Sequence, residues 1–194
     1  MDNSTRRTFL LQAGTSLGML WLGALTPDLL AQGHAHAKSA ATGKTGAYRF
    51  FTPQQAAAFD AFSAQIVPTD ETPGAREANV VHFADYVLGT FGRDQQTAFT
   101  DALRSVEEQA PKTIPGAASF AALTPAQQIT VMTAMEKTPA FALLRSWTVT
   151  GIFCDPALGG NRDEVGWKLL GFEDSFYYKP PFGYYDAHAE EEKP

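Results

Sequence analysis

Thr52-Pro53-Gln54-Gln55, Thr124-Pro125-Ala126-Gln127 and Thr138-Pro139 constrain this chain more than any other feature. In each, a threonine oxygen can accept from an early helical N–H, and proline fits the first helical position, where its missing N–H costs nothing. A glutamine three residues after Thr52 and Thr124 completes a capping box. The recurrence is capping chemistry rather than a sequence repeat.

Apolar residues follow each start at spacings of three and four. Phe59, Phe62 and Ile66 form the stripe of a first helix, stopped by Pro68. After a turn at Thr69 to Gly74, the spacing of Val80, Phe83, Ala84, Val87, Leu88 and Phe91 predicts a second helix from about Ala75 to Phe91. Asp94 is placed to cap a third, with Phe99, Leu103 and Val106 inward and Pro111 closing it. A fourth begins at Pro125 with Ile129, Met132 and Met135 on its core side, and a fifth runs from Pro139 to near Gly151 with Phe141, Leu144, Trp147 and Thr148 along one face. With no clean alternating pattern, the expected class is mainly α: an irregular antiparallel bundle of about five helices with an extended aromatic and proline C-terminal arm.

Upstream, Arg6-Arg7 is followed at once by an apolar run beginning Phe9-Leu10, and Ala35-His36-Ala37 offers small residues three and one before a cut. This order is that of a twin-arginine export signal. The run is diluted by Gly, Ser and Thr and is short of the roughly 20 apolar residues a membrane span needs. The expected division is a signal over 1–37, a flexible lead over 38–49, one domain with its arm over 50–189 and a disordered tail over 190–194. The location implied is periplasmic, reached through the twin-arginine translocation machinery. The net charge of −6 argues against nucleic acid and anionic lipid as partners.

Catalytic, cofactor-binding and metal-ligating constellations are not legible. His82 and Asp85 stand three apart on the second helix, the spacing of an ordinary surface pair, and one cysteine with scattered histidines does not make a zinc or copper site. Gly43-Lys44-Thr45 lacks the earlier glycine of a phosphate loop.

The most distinctive stretch is GIFCDPALGGNRDEVGWKLLGF, Gly151 to Phe172. Gly159-Gly160 lacks the third glycine of a dinucleotide cradle, and Asp155, Asn161, Asp163 and Glu164 miss the calcium-loop spacing. A tight turn is one reading, with Asn161 and Asp163 bonding backbone groups, Arg162 pairing locally and Trp167 sealing the core. A partner surface is the other, made of Asp155, Gly159, Gly160, Asn161, Arg162, Asp163 and Trp167 with the tail residues Tyr177, Tyr178, Tyr184 and Tyr185. The tail equally suits packing back over the bundle. Cys154, the single cysteine, is either a buried apolar residue or half of an intersubunit disulfide, since it has no partner in its own chain.

The export signal, then IVPTDETPGAREANVVHFADYVLG, then the Gly151 to Phe172 stretch, together resemble the gluconate 2-dehydrogenase subunit 3 family over most of the chain beyond the signal. The resemblance implies a small subunit, without catalytic residues or cofactor of its own, in a membrane-bound FAD-dependent glucose, gluconate or sorbitol dehydrogenase complex. Its expected partners are a large subunit holding FAD and, indirectly, a cytochrome subunit holding haem c. The implied role is to stabilise the large subunit and escort it through export. The alternative is a free-standing periplasmic binding protein or enzyme.

Overall fold

The computed structural model describes residues 48–175. The export-signal residues Arg6, Arg7, Phe9 and Leu10, the cleavage residues Ala35 and Ala37, and Tyr177, Tyr178, Tyr184 and Tyr185 lie outside that range. Six α-helices and no strand occur among the described residues: α1 (Pro53–Ile66), α2 (Val80–Gly89), α3 (Gln96–Thr113), α4 (Pro125–Met135), α5 (Pro139–Phe153) and α6 (Val165–Leu170). The helical class follows the sequence expectation.

The threonine starts form as their chemistry requires. Thr52 and Gln55 exchange bonds at 2.9 and 3.2 Å, Thr124 and Gln127 at 3.0 and 3.4 Å, and Thr138 Oγ1 accepts from the Phe141 N–H at 3.2 Å. From its cap, α5 runs through the middle of the fold and packs against all five other helices. An aromatic chain marks the core. Phe99 lies 5.0 Å from Phe59, 5.5 Å from Phe51 and 5.1 Å from Trp147, which is itself 5.8 Å from Phe83.

Four expectations need correction. Helix α2 starts at Val80 rather than Ala75, because Asn79 sits in the left-handed region at φ 59° and breaks the helical ladder. Asp94 makes no side-chain cap: a 3-10 turn, Arg93–Gln95, leads into α3. Pro111 does not close α3, which continues to Thr113, since a proline in the last turn forfeits only its own bond to the Glu107 carbonyl. In α4, Ile129 is 52% exposed, and Gln128 and Val131 face inward with Met132 and Met135. The Gln128 amide explains that rotation: it donates to the Phe120 and Leu123 carbonyls at 3.3 and 3.1 Å and accepts from Gln65 at 2.9 Å.

The polypeptide entering α1 is held by a group the sequence hid. Asp85, wholly buried on α2, accepts the backbone N–H groups of Arg49, Phe50 and Phe51 at 2.9, 2.9 and 3.0 Å. Instead of forming an ordinary helix-surface group, its carboxylate ties the entry of the domain to the core.

Candidate functional site

Helix α5 delivers the distinctive segment. A side chain at Gly151 would press on Phe83 and Val80, at 2.9 and 3.1 Å, so glycine lets the end of α5 close on α2. Cys154 then turns the backbone to extended geometry (φ −66°, ψ 167°). The Asp155 carboxylate accepts the Ala157 N–H at 2.8 Å and caps a single turn, Pro156–Leu158. Gly159 follows at φ +93°, a conformation open to glycine at little cost.

Next comes a clamp. Asn161 is wholly buried at φ 43° and makes three bonds back into the fold. Its N–H reaches the Gly151 carbonyl at 2.9 Å, its Nδ2 the Cys154 carbonyl at 2.9 Å, and its Oδ1 accepts from Gly166 at 2.8 Å. The approach is so close that a Cβ at Gly160 would collide with the Gly151 carbonyl, and one at Gly166 with the Ile152 carbonyl. Asp163 and Glu164 also take positive φ, 55° and 58°, an uncommon conformation for non-glycine residues that the clamp on either side enforces. The Arg162 N–H donates to the Ala78 carbonyl at 3.2 Å, binding the loop to the turn before α2.

Helix α6 ends in a motif that sets its surface. Gly171 is left-handed at φ +66°, the Phe172 N–H bonds the Trp167 carbonyl at 2.9 Å and the Gly171 N–H bonds the Lys168 carbonyl at 3.2 Å. This is a Schellman ending with its usual apolar contact, here Trp167 against Phe172 at 5.2 Å. The Trp167 indole N–H donates to the Phe153 carbonyl at 3.0 Å, lashing α6 to the end of α5.

The residues singled out from sequence therefore divide. Gly159, Gly160 and Asn161 face inward and hold the loop together; Asp155 and Asp163 are exposed; Arg162 and Trp167 are half-buried. Arg162 pairs only loosely with Asp163, at 3.9 Å. Trp167 lies over the end of α5 rather than within the core. Sequence reasoning missed the neighbouring exposed apolar side chains, Val149, Phe153, Leu169, Leu170 and Phe172. Leu169-Leu170 beside a helix-ending glycine was the available signal.

Cys154 is half-buried as a residue, but its sulfur turns inward. Its Sγ donates to the Gly151 carbonyl at 3.4 Å and lies beside Gly160. Burial pushes the thiol up to about 12 against the pull of a Gly160 backbone bond, with the Asp155 charge pushing the same way as burial. The sulfur is thus a neutral thiol across the physiological range.

Elsewhere a cleft of about 420 Å³ lies where Tyr48, Asp60, Arg76, Asn79 and His82 meet. Arg76 and Asp60 pair at 2.9 Å, and the Tyr48 ring is 5.6 Å from His82. Among the described residues, no group of three His, Cys, Asp or Glu side chains is placed to hold a metal ion.

The family model for gluconate 2-dehydrogenase subunit 3 matches residues 53–174, from the first residue of α1 to just beyond Phe172. The chain belongs to the gluconate 2-dehydrogenase subunit 3 family. The matched span contains the Asn161 clamp, the Schellman ending and the exposed apolar residues between them. Membership makes this subunit 3 protein a component of a multisubunit dehydrogenase complex. No curated protein and no solved structure matches this subunit 3 chain.

Proposed function

We propose that this protein is the noncatalytic small subunit of a periplasmic, membrane-bound, flavin-dependent sugar or sugar-acid dehydrogenase. It binds and stabilises the FAD-containing large subunit and escorts it through the twin-arginine route, while a cytochrome carrying haem c accepts electrons elsewhere in the complex. The observation that carries this reading is the family match over residues 53–174. The Arg6-Arg7 pair supports the export part, because the twin-arginine route passes folded proteins and suits a partner already loaded with cofactor.

The proposed covalent contact is a disulfide from Cys154 to a thiol of the large subunit. Two thiols give up two protons and two electrons to the dithiol-oxidising machinery of the compartment, and the S–S bond then resists reduction there. Because burial holds the Cys154 thiol neutral, the bridge forms once docking turns the sulfur away from Gly160.

Replacing Arg6 and Arg7 by lysine should leave both this chain and its flavin partner in the cytoplasm. A partner that still reaches the periplasm in that strain refutes the escort role. Purified alone, the mature chain should show neither flavin absorbance nor dye-linked oxidation of glucose, gluconate or sorbitol. For the bridge, a non-reducing gel of the complex should show one band containing both subunits, lost in Cys154→Ser.

A further inference from the structure

The six exposed large apolar side chains among the described residues are unevenly placed. Ile129 stands apart on α4, whereas Val149, Phe153, Leu169, Leu170 and Phe172 fall on the end of α5 and on α6 with its cap. Val149 and Phe153 are one turn apart on α5 and share a face. Phe153 joins α6 through its carbonyl bond to the Trp167 indole, and Trp167 touches Phe172. Leu169 and Leu170 are three and four residues beyond Gly166, which sits on Ile152, so they flank the side of α6 turned toward α5 and overhang its edge. Leu170 is 66% exposed and Phe172 45%.

This patch is rigidly built. The Asn161 clamp fixes where α6 begins, the packing of Gly166 on Ile152 fixes its depth, and the Schellman ending fixes Phe172 against Trp167. A backbone already fixed by hydrogen bonds need not be ordered again when a partner covers it, so the ordering cost is confined to side-chain rotamers. The segment on the α6 side is acidic: residues 155–174 hold Asp155, Asp163, Glu164, Glu173 and Asp174 against Arg162 and Lys168, a net of −3, while on the α5 side the exposed Arg145 stands one turn before Val149. The Lys168 ammonium is already engaged with the Asp163 carbonyl at 2.6 Å.

We infer that this apolar face, Phe153, Trp167, Leu169, Leu170 and Phe172, is where the FAD-bearing large subunit docks, presenting an apolar centre ringed by Lys and Arg. The inference rests on the proposed subunit role and names its surface. An apolar centre with a polar border is the anatomy of a specific protein interface, and the acidic segment on the α6 side favours a basic partner there and speeds its arrival. The family match runs through the whole face to residue 174, which places the face in the part of the chain shared with other small subunits of such complexes.

The test co-expresses the full chain, tagged, with the large flavin subunit and measures FAD retained per chain after purification. Leu170→Asp and Phe172→Asp should each lower retention at least about tenfold, the effect expected at the centre of an interface. Ile129→Asp, at an exposure of 52% between those of the other two but on α4, should retain wild-type flavin. Circular dichroism melting checks the fold of each variant. As a second measurement, Glu164→Lys should slow association severalfold at low salt and leave dissociation unchanged. Wild-type flavin retention in both face variants overturns the inference while leaving the subunit role standing. So does a wild-type homodimer that Leu170→Asp dissolves with flavin retention unchanged, or a fall in melting temperature alone, which would assign the face to the chain's own C-terminal residues. A wild-type chain that retains no flavin subunit overturns both.

Discussion

Replacing Asp85 tests how the domain is closed at its entry. The carboxylate accepts three backbone N–H groups, and their surroundings differ: Arg49 is exposed, Phe50 half-buried and Phe51 buried. In Asp85→Ala, water can replace the acceptor for the first two, while the Phe51 N–H is left dry at a cost of about 1–3 kcal/mol. Losing the charge-assisted bonds to the other two adds roughly 1 kcal/mol each. Relief of the buried carboxylate's desolvation opposes these terms, so the net loss expected is about 2–4 kcal/mol. For a domain of this size that lowers the melting temperature by roughly 5–15 °C. Asp85→Asn keeps one acceptor oxygen for Phe50 and Phe51 but turns an NH₂ toward the Arg49 N–H, and about half the loss is expected. Thermal unfolding of the purified chain reads the global effect. Limited trypsin digestion reads the local one, since cleavage after Arg49 should accelerate well before the domain melts. An Asp85→Ala protein that melts within about 1 °C of wild type, with Arg49 equally resistant, would refute the role of Asp85 as the tie between the entry segment and the core.

Gly160→Ala should destabilise by about 1–3 kcal/mol in urea unfolding, because the new Cβ meets a carbonyl that cannot rotate away, and an unchanged midpoint would show that the loop yields. Cys154 should impose a pH dependence: its folded-state pKa of about 12 stands above the ordinary 9.0, so its contribution is complete below pH 9 and declines as pH rises toward 12. Comparing the unfolding midpoints of wild type and Cys154→Ser from pH 8 to 10.5 checks this. The wild-type curve should fall more steeply, and the native thiol should react slowly with a thiol reagent at pH 8 until the chain is denatured.

Much of the fold was readable because its determinants are local. A threonine, a proline and a glutamine within four residues satisfy the first N–H groups of a helix wherever they occur, so the starts of α1, α4 and α5 needed no tertiary knowledge. The start of α2 was hidden for the opposite reason. Its apolar spacing runs smoothly, but Ala75 bonds to the Val67 carbonyl and the Ala78 carbonyl accepts from Arg162, and those distant bonds leave Asn79 in the left-handed region. The rotation of α4 was hidden likewise, since a glutamine buried with three hydrogen-bond partners looks, in sequence, like one facing water.

By itself the sequence determined the helical class, the starts of α1, α4 and α5 and the family that the chain resembles and belongs to. It also marked Gly151 to Phe172 as unusual, because glycine pairs and Asn-Asp clusters are conspicuous against a helical background. Only the tertiary structure decided which of those residues look inward. Gly160 and Gly166 are required by carbonyls of α5, Asn161 by bonds to residues five to ten positions away, and Asp85 by a segment 34 to 36 residues earlier. The same holds for Leu169, Leu170 and Phe172, whose apolar character is plain in sequence. Their exposure depends on how much of α6 the end of α5 can cover, and a helix that rests on α5 through Gly166 near its start overhangs that end with its last turn.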